Sequence, residues 1–94
     1  MFIPTSKWDF IIHAVQISSY IPGRIRLYSK KLIGNADLAR KVYAYVASYK
    51  EIDNVDVNVL TGSVLITYQP QALRTNRELA RVENYIRTHA ERRE

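Results

Sequence analysis

Two neighbouring runs in the second half of the chain, "NVDVNVL" and "SVLITYQ", are separated by little more than Thr61 and Gly62. In the first, Val55, Val57 and Val59 alternate with Asp56 and Asn58. A period of two puts the valines on one face of a pleated strand and the polar residues on the other, and a glycine between two such runs signals a tight reversal. The segment is therefore predicted to be an antiparallel hairpin with one buried face. A lone hairpin is marginal in water, so other elements must cover that face.

The remaining segments supply them. "RIRLYS" alternates as well, with Ile25 and Leu27 on one side and Arg24, Arg26 and Tyr28 on the other. Upstream, the β-branched and aromatic run over residues 9–18 reads as a further strand, followed by Pro22 and Gly23 as punctuation. "ADLARKVYAYVASYK" carries Leu38, Val42, Tyr45 or Val46, and Tyr49 at helical spacing behind Asn35, a good N-cap, which predicts a helix over residues 36–49. Pro70 closes the sheet. "TNRE" at Thr75 to Glu78 has the form of a capping box, and Leu79, Val82, Ile86 and Ala90 mark the core face of a second helix. On the rest of that helix Arg74, Arg77, Arg81 and Arg92, interrupted by Glu78, Glu83 and Glu91, read as a solvated face, with Glu83 paired to Arg87.

The order is β-β-α-β-β-α, an α+β fold with both helices on one face of an antiparallel sheet. Its core is the ferredoxin-like arrangement without the usual last strand. The N-terminal strand, antiparallel to its successor, is positioned to fill that place. At 94 residues and 47% hydrophobic content the chain makes one domain, residues 1–94, with an irregular start over 1–8 and a frayed end over 91–94. There is no cysteine, which excludes disulfides and thiolate ligands. The N-terminus has neither the basic region nor the cleavage site of a signal peptide, and its apolar run is too short to span a bilayer, so a cytoplasmic protein is expected. A formal charge of +5 favours anionic partners or serves solubility alone.

Between the strand "PGRIRL" and the helix lies "SKKLIG", Ser29 to Gly34. Strand, loop, helix and the hairpin "VDVNVLTGSVLITYQP" together resemble heavy-metal-associated domains. They are most similar to the cysteine-free branch related to the N-terminal domains of P-type metal-transporting ATPases. The resemblance covers residues 21–87 and implies the ferredoxin-like fold together with a protein partner, a membrane metal-transport system. In metal-carrying members this loop holds C-x-x-C, whose two thiolates grip a soft ion. Here Lys30 and Lys31 stand in it; protonated lysines supply no lone pair and repel a cation. Metal carriage is thus not implied, and no cofactor is expected.

Lys30 and Lys31, just ahead of a helix, make a docking point for an acidic protein surface or a phosphate, or else a solvated loop that suppresses aggregation at a sheet edge. With Arg24, Arg26 and Tyr28 on the adjoining strand they are the candidate partner-binding residues of a non-enzymatic interaction module. Nucleic-acid binding is the second reading. Its electrostatic part survives, but Arg26 stands where a base-stacking platform would need an aromatic. A noncysteine metal or heme site through His13 or His89 is the third, although no H-x-H or H-x-x-x-H pair exists. No Ser/His/Asp set or close carboxylate pair recommends an enzyme. A free edge on a short sheet is able to pair two copies, so a homodimer is compatible with the pattern.

Overall fold

The computed structural model describes residues 15–91. Four antiparallel strands form one sheet in the order β1-β2-β4-β3. They are β1 (Gln16–Ile21), β2 (Arg24–Tyr28), β3 (Ile52–Asn58) and β4 (Ser63–Tyr68). Helices α1 (Ala36–Ala47), α2 (Pro70–Leu73) and α3 (Arg77–Glu91) complete the described chain. The predicted α+β, ferredoxin-like order is found, with α2 as a short addition. The N-terminal strand does take the edge beside β2 that the missing last strand would occupy.

That strand is Gln16–Ile21, later than the run at residues 9–18 suggested; positions 9–14 of the expected strand lie outside the described residues. The register explains the shift. Ile17 opposes Leu27 and Tyr20 opposes Ile25, with an irregularity between Ile17 and Ser19. One extra residue lets two side chains three positions apart face the same way, which breaks the period of two that marks a strand in sequence. A second irregularity between Ile52 and Asn54 does the same for Ile52 and Val55.

The inward face of the sheet carries Ile25, Leu27, Val55, Val64, Ile66 and Tyr68, and the helices cover it with Ala39, Val46, Leu79, Val82 and Ile86, all buried. The sheet's other face has no helix over it among the described residues. Asn35 caps α1 as expected, its Oδ1 accepting the Leu38 N–H at 3.0 Å. The helix ends at Ala47 rather than at Tyr49. Tyr49 instead extends its hydroxyl to Glu78 Oε1 at 2.6 Å, joining the far end of α1 to the first turn of α3.

The start of α3 corrects the capping-box expectation. Asn76 Oδ1 accepts the N–H groups of Glu78 and Leu79, whereas the Thr75 hydroxyl donates backwards to the Ala72 carbonyl at 2.7 Å. The short helix α2 ends there and takes up the threonine, so the cap passes to the next residue. Asn76→Ala is expected to cost about 1 kcal/mol and Thr75→Ala less than about half of that, as measured by urea unfolding. The reverse ranking would restore the capping box.

Candidate functional site

The loop after β2 is built as a rigid platform. Ser29, buried and extended, caps a single turn of 3-10 helix over Lys30–Leu32, and its Oγ accepts the Lys31 N–H at 3.2 Å. Leu32 drops into the core at 2% exposure and pins the turn from below. Two backbone bonds clasp the loop to the hairpin, Ser29 N–H to the Gly62 carbonyl and Gly34 N–H to the Val59 carbonyl, both 2.9 Å. Gly62 has φ +74° and comes so close to Ser29 that a Cβ would sit 2.5 Å from its carbonyl oxygen. Only glycine permits this approach.

The platform turns Lys30 and Lys31 to solvent. Neither forms an ion pair among the described residues. Beside them two apolar side chains also stand out, Ile33 at 48% exposure, which lies over Gly62, and Leu60 in the hairpin turn at 84%. One end of the described molecule therefore combines two exposed positive charges with two exposed aliphatic side chains.

Arg24, Arg26 and Tyr28 share the open face of the sheet, as the alternation of β2 predicts. They oppose Thr67, Leu65 and Ser63 of β4. The arginines are exposed, Tyr28 is half-buried, and no acidic partner of either arginine exists among the described residues. Tyr28 sits at the loop end of its strand. With Gln16 of β1, Ser29, Lys30 and Lys31 it lines a cleft of about 290 Å³. The five predicted residues thus fall into two connected groups, Lys30, Lys31 and Tyr28 around the cleft, and Arg24 and Arg26 further along β2. Gln16 and Ser29 were not singled out from the sequence; Ser29, a good capping residue directly ahead of a lysine pair, was the available signal.

The model of the family described as heavy metal associated domain 2 matches residues 7–90. The chain belongs to this family. Neither the curated proteins nor the solved structures gave a match. The resemblance read from the strand, loop and hairpin is thereby upheld, and membership makes the chain a binding or interaction module of the heavy-metal-associated type. No helix among the described residues is long and apolar enough to cross a membrane.

The residues of this heavy-metal-associated domain do not fit a thiolate-bound ion. The loop holds lysines, the chain has no cysteine, and no three His, Asp or Glu residues among those described come together as a ligand set. His89 stacks on Tyr85 with ring centres 3.9 Å apart, and its Nδ1 lies 2.8 Å from the Tyr85 carbonyl. His13 lies outside the described residues.

A second polar cluster was misread from the sequence. Glu83, expected on the solvated face with Arg87, is 4% exposed and buried under the sheet. Its Oε2 accepts the hydroxyls of Tyr68 at 2.7 Å and Tyr20 at 3.1 Å, and its Oε1 accepts Arg74 Nε at 2.8 Å. Arg74 also donates Nη2 to Oε2 at 3.2 Å. Burial pushes the Glu83 carboxyl up, but the hydrogen bonds from Arg74, Tyr68 and Tyr20 outweigh it and hold the group below its ordinary value. Burial first, and then the bond to Glu83, push the Tyr68 hydroxyl well up. The cluster ties β1, β4 and the α2–α3 connection to α3. The Glu83 carboxylate at its centre is buried and bonded at both oxygens, which makes the cluster a brace for the edge strand.

Proposed function

We propose that this heavy-metal-associated domain is a non-enzymatic docking module that recognises an acidic partner surface through Lys30 and Lys31. Its partner is a membrane metal-transport system of the P-type ATPase kind, met from the cytoplasmic side. The observation that carries the reading is the platform itself: two exposed lysines, without an ion-pair partner among the described residues, held on a loop clasped at both ends to the hairpin. Where thiolate-bearing members present a metal ion, this chain presents fixed positive charge. A positive charge displayed on a rigid loop steers an acidic surface into register and costs little ordering entropy on binding.

The test is a calorimetric titration of the domain with the soluble domains of the P-type metal transporter encoded in the same genome. The Lys30→Glu/Lys31→Glu variant, with an unchanged circular dichroism spectrum, is expected to bind at least about tenfold more weakly at low salt. Unchanged affinity removes the lysines from the interface. Failure of the unaltered domain to bind removes the transporter as partner.

Nucleic acid is the second reading, favoured by Arg24 and Arg26 on the open sheet, which have no ion-pair partner among the described residues. It requires an affinity for single-stranded oligonucleotides that falls steeply with salt and depends on these arginines rather than on the loop.

A further inference from the structure

The charged groups lining the cleft beside the lysine loop are all positive among the described residues. Lys30 and Lys31 offer ammonium donors only, Tyr28 a phenol, and Gln16 an amide. No carboxylate lines it among the described residues. Ser29 adds the most specific feature. It is 7% exposed, and its Oγ already accepts the Lys31 N–H. A hydroxyl that accepts still has a proton to give, and no acceptor for it exists among the described residues. A buried donor without a partner is costly, and a ligand oxygen would satisfy it. A hydroxyl donor, a phenol and an amide beside two positive charges, with no carboxylate among the described lining residues, describe a seat for an oxyanion.

The surroundings narrow the source of that oxyanion. Ile33 and Leu60 project at the same end, 48% and 84% exposed. A free inorganic anion would gain nothing from them. A protein side chain would bring apolar neighbours able to cover them. We propose that the cleft formed by Gln16, Tyr28, Ser29, Lys30 and Lys31 is an oxyanion pocket that seats one carboxylate side chain of the protein partner, with Ile33 and Leu60 taking the partner's flanking apolar residues. This deepens the docking reading and rests on it. It adds a defined anchor point, so that recognition requires a carboxylate between two apolar groups rather than a diffuse acidic field.

The probe is a blocked Leu-Glu-Leu peptide titrated into the isotope-labelled domain at constant ionic strength, followed through backbone amide resonances. The expected result is saturable shifts at Gln16 and Tyr28 through Lys31, together with Ile33 and Leu60. A blocked Leu-Gln-Leu peptide is expected to produce none of them. The charge-preserving Gln16→Ala/Tyr28→Phe variant should weaken the glutamyl peptide by at least about tenfold, the effect of lost hydrogen bonds to a charged group. Equal binding of the glutaminyl peptide, shifts centred on Arg24 and Arg26, or the absence of localised shifts would each overturn the pocket.

The same charge-preserving variant separates this inference from the reading beneath it. If partner binding is lost with Lys30→Glu/Lys31→Glu but untouched in Gln16→Ala/Tyr28→Phe, the pocket fails and the lysine docking stands. If the transporter domains do not bind at all while the peptide does, the pocket stands and the choice of partner fails.

Discussion

Glu83→Ala is expected to lower the unfolding free energy by about 3 kcal/mol, a large share of the stability of a domain this size. The substitution leaves the buried Tyr68 hydroxyl without its acceptor and removes the bond that holds Tyr20 on the edge strand. Arg74 keeps half its side chain in water, so it does not become a buried unpaired charge. The midpoint of thermal unfolding should fall by about 10–20 °C. A double-mutant cycle between Glu83→Gln and Tyr68→Phe should return a coupling of about 1 kcal/mol. A fall of only a few degrees, with no coupling, would mean that the brace does not hold the edge strand.

The same group sets an acid limit. The Glu83 carboxyl titrates lower in the folded chain than in the unfolded one. Between those two values the unfolded chain binds more protons, so stability rises with pH there. The contribution is complete above the ordinary glutamate range and is lost as pH falls through the lower, folded value. Urea midpoints measured from neutral to acid pH should show this loss, and Glu83→Gln should flatten it.

Gly62→Ala should destabilise by about 3 kcal/mol and displace the lysine loop. Two costs add at this position. The backbone sits at φ +74°, where side chains are disfavoured, and the new Cβ would meet the Ser29 carbonyl oxygen at 2.5 Å and Ile33 Cγ1 at 2.9 Å. The nearer atom is backbone, so relief requires the loop itself to move and the Ser29–Gly62 bond to stretch. Gly34→Ala is the matched control, with φ +69° but no atom within 4 Å. It should cost only the backbone strain, about 1–2 kcal/mol. Thermal unfolding compares the two, and amide shifts at residues 29–34 report the displacement. Equal costs would show that the close approach of hairpin and loop contributes nothing.

Much of the architecture was legible in the chain because it rests on local periodicity. Val55, Val57 and Val59 announce a half-buried strand, Ile25 and Leu27 a second, and the glycine between Leu60 and Ser63 a reversal. Asn35 caps its helix from an immediate neighbourhood of four residues. The arrangement of Arg24, Arg26 and Tyr28 on one face follows from the same alternation and needs no tertiary knowledge. Thr75 shows the limit of such signals. It fits a capping box, yet the short helix before it supplies a carbonyl that its hydroxyl prefers.

The residues themselves determined the fold class, the exposed basic strand and the absence of a thiolate site, since spacing and side-chain chemistry are properties of the chain. Tertiary structure alone decided where β1 pairs, because its irregularity only acquires meaning against the register of β2. It also decided the fate of Glu83. That residue falls at the fourth position after Leu79, within the apolar stripe of its helix, which hinted at burial, but its partners lie on β1, on β4 and before α3. The cleft was equally hidden. Gln16 and Lys31 are brought together by strand pairing, and no reading of neighbours along the chain reports which distant donors will converge on one space.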